Sequence, residues 1–85
     1  MQFDPSPVIR LNRAIALRYV RGPAAALPEI EGLGEALQRY HIYHAAHAAI
    51  LRDLGRRDEA RRADEQALNL TGNPAERALL EQRLA

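Results

Sequence analysis

The 85-residue chain contains no cysteine, no tryptophan and no lysine, and only one Phe and three Tyr. Without Cys there is no disulfide framework, no thiol nucleophile and no Cys-type zinc site. No apolar run approaches the roughly 18–20 residues that a membrane-spanning helix requires. The longest stretch free of Asp, Glu and Arg runs from Tyr40 to Leu51, and it carries three His. Met1-Gln2-Phe3-Asp4-Pro5 has no basic region followed by an apolar one, so it does not read as a secretory signal, and the cytoplasm is the expected compartment. An excess of either charge is missing too. Twelve Arg face eleven acidic residues, for a net charge of +1, which argues against a dedicated nucleic-acid binder and against a polybasic membrane anchor.

What the chain has is alanine, sixteen of 85 residues, and arginine as its sole strong base. Hydrophobic residues at 47% and charged residues at 27% are globular values. So short a chain buries only about 60–65% of its unfolded surface, which makes its core economical. The β-branched residues are few (two Val, five Ile, one Thr) and no segment alternates like a strand. An all-α domain is expected, with five helices over residues 1–85.

Pro and Gly divide the chain. Residues 1–6 form an extended lead-in. Ser6 suits an N-cap and Pro7 the first helical position. Val8, Leu11, Ile15 and Tyr19 fall on one face of a first helix that Gly22 ends. Pro23 opens a second helix to about Leu33, with Leu27, Ile30 and Leu33 as its stripe. Pro28 within it predicts a helix that is short, and bent or started late. A third helix runs from about Gln38 or Tyr40 to Leu54, with Ile42, Ala46, Ala49 and Ile50 inward. Gly55 closes it. Asp58 and Glu59 suit the start of a fourth helix, on which Ala60, Ala63, Ala67 and Leu70 face inward and Arg61, Arg62, Asp64 and Glu65 outward. Asp58/Arg62 and Arg61/Glu65 are spaced for ion pairs. Asn73 caps a fifth helix, with Pro74 at its first position, Glu76 completing a capping-box-like start, and Leu80 and Leu84 on its apolar side with Leu79 beside them.

Gly22 and Gly55 lie 33 residues apart, and the same offset pairs Ile9 with Ile42, Ala16 with Ala49, Leu17 with Ile50 and Leu27 with Ala60. A helix–turn–helix period near 34 is that of the tetratricopeptide repeat. The expected architecture is a short right-handed solenoid of antiparallel helix pairs: a degenerate repeat over 7–33, a better-matched one over 38–72, and a capping helix over 73–85. In the second copy Ala48, Gly55, Ala60, Ala67 and Leu68 fit the repeat's small, turn and apolar positions. In the first copy Leu27 stands where a small residue is expected. Small side chains at the crossing let paired helices approach closely. In such a solenoid the first helix of each pair lines the concave side. That places Ile9, Asn12, Ala16, Tyr19 and Val20 there, with Ile42, Ala45, Ala49, Arg52 and Asp53. The candidate partner-binding residues are Asn12, Ala16, Tyr19, Ile42, Ala45, Ala49 and Arg52, a groove suited to an extended segment or helix of another protein.

Catalytic signatures are weak. His41, His44 and His47 are spaced at i, i+3, i+6, but the outer two point about 120° apart on a helix, which disfavours a shared metal. They read as partly buried packing residues. Glu29, Glu31 and Glu35 surround a Gly-rich connection and read as solvated. Arg56-Arg57 with Arg61-Arg62 is interleaved with acids and reads as a salt-bridged face. No catalytic residue, cofactor or metal is expected.

Three separated strings carry a family resemblance. They are Ser6-Pro7-Val8-Ile9-Arg10-Leu11-Asn12-Arg13-Ala14-Ile15-Ala16 followed by Gly22-Pro23-Ala24-Ala25, then Tyr40-His41-Ile42-Tyr43-His44-Ala45-Ala46, then Asn73-Pro74-Ala75-Glu76-Arg77. In this order they resemble the C-terminal tetratricopeptide-like extension of bacterial extracytoplasmic-function RNA polymerase sigma factors, over about Asp4 to Leu84. His47, where similar sequences often carry Arg, is a departure. The resemblance implies a regulatory protein-interaction domain in transcription initiation. Its partners would be the sigma factor's own core domains, RNA polymerase core or a signalling protein. No direct DNA binding by this segment and no membrane contact are implied. The promoter-binding regions would precede it, so Met1 reads either as an added residue at the edge of an excised domain or as an alternative start. If a preceding helix normally covers the first helix, then Val8, Leu11 and Ile15 cannot all find partners, and this exposed face would favour self-association. The alternatives are a stand-alone tetratricopeptide adaptor and, more remotely, a small metal-binding helical protein using the His face.

Overall fold

The structure, a computed structural model, describes residues 6–84. Most of the expected extended lead-in therefore lies outside the described residues, as does Ala85. Five helices and no strand are present among the described residues: α1 (Pro7–Arg21), α2 (Pro23–Glu31), α3 (His41–Asp53), α4 (Arg57–Leu70) and α5 (Pro74–Leu84). Each helix packs on the next in sequence, and α1 also touches α3.

The helix ends follow their local chemistry. The Ser6 hydroxyl accepts from the Ile9 N–H at 3.3 Å, with Pro7 behind it where no N–H is needed. Asn73 Oδ1 accepts from Ala75 and Glu76 N–H at 2.9 and 3.2 Å. Glu76 does not return to the Asn73 N–H as a capping box would. Thr71 intervenes: its hydroxyl accepts from Asn73 N–H at 3.2 Å and donates to Glu76 Oε2 at 2.7 Å. The start of α4 has no side-chain cap, and Asp58 and Glu59 sit in its first turn. Arg61 pairs with Glu65 at 3.5 Å, but Asp58 and Arg62 are not within pairing distance. α2 starts at Pro23 without delay and ends two residues earlier than expected. Leu33 and Leu37 lie beyond it in a run of hydrogen-bonded turns, and both are buried.

Two apolar clusters hold the helices together. Leu11, Ala14, Ala26, Ile30, Leu33, Leu37, Tyr43 and Ile50 join α1, α2 and α3. Ala48, Leu51, Ala60 and Ala63 join α3 to α4. Because α3 lies between two neighbours it buries two sides, Tyr43 and Ile50 on one and Ala48 and Leu51 on the other. The single inward face expected for it, with Ile42 and Ala49, is thereby corrected: Ile42 is exposed. Tyr19 and Leu70, expected inward, are exposed as well, and Val8 is half-exposed.

Gly22 and Gly55 both adopt positive φ, +93° and +78°, and each follows the first helix of a pair. Gly22, at ψ 168°, occupies a region open essentially to glycine alone. The connections differ in length. Gly22 alone links α1 to α2, whereas three residues link α3 to α4. Equivalent positions beyond the turn are therefore 34 apart, not 33. Ala26 matches Ala60, Leu33 matches Ala67 and Leu37 matches Thr71, and all six are buried. In this register Ala60 is matched by Ala26 and not, as expected, by the partly buried Leu27.

The same register places Asp64 at the position of Ile30. Both are fully buried. The outward placement expected for Asp64 is thus corrected: it shares the buried stripe of Ala60, Ala63 and Ala67. Its two oxygens are held separately, Oδ2 by Arg52 of α3 and Oδ1 by Arg83 of α5. A buried carboxylate requires such partners.

Candidate functional site

The outward side of α1 is built by helix periodicity. Leu11 and Ala14 point into the core, with Arg18 between them, and the residues roughly opposite are Ile9, Asn12, Ala16 and Val20. All four are exposed, Val20 at 79%, and Tyr19 beside them is 76% exposed. On α3, Ile42, Ala45, Ala49, Arg52 and Asp53 share one side. Ile42, Arg52 and Asp53 are exposed, and Ala45 and Ala49 are half-buried.

An ion pair ties α1 to α3 on the inward side of α1, away from Ile9, Asn12, Ala16 and Val20. Arg18 Nε donates to Asp53 Oδ2 at 2.6 Å, and the Arg18 guanidinium lies 5.2 Å from the Tyr19 ring centre. The hydrogen bond from Arg18 holds the Asp53 carboxyl below its ordinary value, and raises Arg18 in return. Ile42 and Ala45 extend the surface toward α5. There they line an apolar groove of about 160 Å³ with His41, Glu76, Leu79, Leu80 and Arg83. Leu79, which the sequence places only beside the fifth helix's apolar side, is half-exposed and belongs to this groove.

Arg52 differs from the other candidates. It borders a depression of about 540 Å³ between α3, α4 and α5, lined mostly by charged residues, and its guanidinium is engaged by Asp64. The sequence held a signal for that partner, since Asp64 lies four residues after Ala60 and three before Ala67, on the alanine stripe. Arg83 had no such signal, because only the fold brings α5 alongside.

The three His have separate partners. His44 Nε2 donates to the Gln38 carbonyl at 2.7 Å, and His47 Nε2 lies 3.3 Å from Glu31 Oε2. His41 Nε2 is 2.7 Å from Glu76 Oε2 but makes no hydrogen bond. The buried Tyr43 ring packs edge-on against His44, 4.9 Å between centres, and burial followed by the nearby Glu31 charge raises its phenol pKa. Among the described residues no group of three or more His, Asp or Glu is placed to hold a metal ion. No described helix is long and apolar enough to cross a membrane.

No protein-family model matches the chain. A relative from Rhizobium meliloti (strain 1021), an uncharacterized protein, is 43% identical over 83 residues, which cover 98% of this chain and 20% of that protein. The chain thus spans about one fifth of the relative's length. No solved structure matches.

Proposed function

We propose that the chain is a regulatory protein–protein interaction domain of the tetratricopeptide type, part of a bacterial alternative RNA polymerase sigma factor, with no chemistry of its own. The observation that carries the interaction reading is the pair of equivalent helix hairpins. Each first helix ends at a positive-φ glycine, 33 residues apart, and each turns an exposed side outward. Small residues at matching crossings, Ala26 and Ala60, suit close-packed helix pairs stacked in series. α5 packs on α4 as a terminal cap would.

The sigma-factor assignment rests on the three sequence strings. A relative about five times the length of the matched segment fits a domain within a larger protein. The partners in this reading are the sigma factor's own promoter-binding domains, RNA polymerase core or a signalling protein. The coding sequence upstream tests it. A reading frame that continues through sigma-type regions is expected, and deleting these 85 residues should change promoter output while the sigma factor still binds core polymerase. A frame that begins at Met1 would overturn the assignment and favour a stand-alone adaptor.

A further inference from the structure

α1 is apolar on two sides, as α3 is, but it has helices on only one of them. Ile9, Ala16 and Val20 form a ridge at i, i+7, i+11, roughly opposite Leu11 and Ala14, with Val8 and Tyr19 beside it. The expected exposed trio is corrected here: Leu11 is buried and Ile15 packs on the core, so of the three only Val8 belongs to this surface.

Charge tells what the ridge would meet. α1 carries Arg10, Arg13, Arg18 and Arg21 and no acidic residue. Arg18 is paired with Asp53, while Arg10, Arg13 and Arg21 are exposed and have no ion-pair partner among the described residues. Arg13 stands one turn from both Ile9 and Ala16, so it borders the ridge directly. A second copy docking ridge to ridge would set these cations against each other. A phosphate backbone would leave Ile9, Val20 and Tyr19 without apolar contacts.

We propose that the outward ridge of α1 binds an amphipathic, acidic helical segment of a protein partner, its apolar stripe on Ile9, Ala16 and Val20 and its carboxylates on Arg10 and Arg13. This deepens the interaction reading above. Its test uses the chain alone and no sigma factor, so either can fail without the other.

The probe is a synthetic amphipathic helical peptide with Leu on one face and Glu along its borders, followed by fluorescence anisotropy against the 85-residue chain. Its counterpart replaces every Glu by Lys. The Glu peptide should bind at least about tenfold more tightly, and the preference should shrink with added salt. Arg10→Glu with Arg13→Glu should reverse the preference. Val20→Asp should weaken the Glu peptide by about tenfold with the helical circular dichroism unchanged, since Val20 touches little within the chain. Equal binding of the two peptides, or binding of neither, overturns the proposal. So does tighter binding of duplex DNA or anionic phosphatidylserine vesicles that is lost on Arg13→Glu, or a dimer in sedimentation that Val20→Asp dissolves.

Discussion

In the α1/α2 pair, the positions that follow the crossing alanine hold Ile30 and Leu33; in the α3/α4 pair the same positions hold Asp64 and Ala67. The first pair closes on side-chain volume, with Leu11, Ile30 and Leu33 among its largest buried groups. The second closes on small residues, Ala48, Ala60 and Ala63, plus one carboxylate held by two guanidinium groups. The difference has a structural consequence. An isoleucine at position 64 would fill space between α3 and α4 only, whereas Asp64 also ties α5 to them through Arg83. In the first pair α3 itself supplies the covering helix, and no such tie is needed.

Exchanging the two residues tests this contrast most severely. Ile30→Asp puts a carboxylate among Leu11, Ala26 and Tyr43, a cluster of apolar groups without a guanidinium, and should cost at least about 4 kcal/mol, read as loss of the cooperative thermal transition. Asp64→Ile should be neutral to within about 1 kcal/mol in urea unfolding, because both Arg partners are partly exposed and return to water. Equal penalties for the two exchanges would remove the distinction. Removing both partners instead, Arg52→Ala with Arg83→Ala, strands the buried carboxylate and should cost about 3–5 kcal/mol.

The two turns differ as well. Gly22→Ala should cost about 1–3 kcal/mol, and Gly55→Ala about 1–2 kcal/mol, by urea denaturation. The smallest effect concerns the link between the pairs. Arg18 lowers the Asp53 pKa below its ordinary 3.8, so the stabilisation is full above about pH 5 and is lost as pH falls through the lowered folded value. Asp53→Asn should lower Tm slightly near neutrality, where the pair is fully formed, and meet the parent curve at low pH, so that the acid limb flattens below about pH 4. Both side chains are partly exposed, which keeps the effect small.

How far these differences can be read from the sequence follows from their range. Ser6-Pro7, Gly22-Pro23, Gly55 and Asn73-Pro74 act within a turn of themselves, and they place the helix ends to within a few residues. Periodicity puts Leu11 on the inward side of α1, but it puts Tyr19 and Ile42 inward as well, and both are exposed because no helix covers them. The Ala26–Ala60 match was hidden by a one-residue difference in how far α4 starts beyond its glycine. Asp64 was hidden by its charge, because α5 supplies Arg83 from nineteen residues away. Tyr43 and the two-sided burial of α3 were hidden because they depend on which helices flank it.

The central functional claim is that the outward side of α1 serves a partner and not the fold. Its most direct test is a paired measurement on Tyr19→Ala and Asn12→Ala in the full-length protein, which we propose to be a sigma factor. Reporter transcription from a promoter of that factor is read beside the Tm of the 85-residue chain. Altered regulation with Tm unchanged within about 2 °C is the expected result, given that both side chains lie exposed. A fall in Tm that accounts for the whole regulatory loss, or regulation identical to the parent, would contradict it.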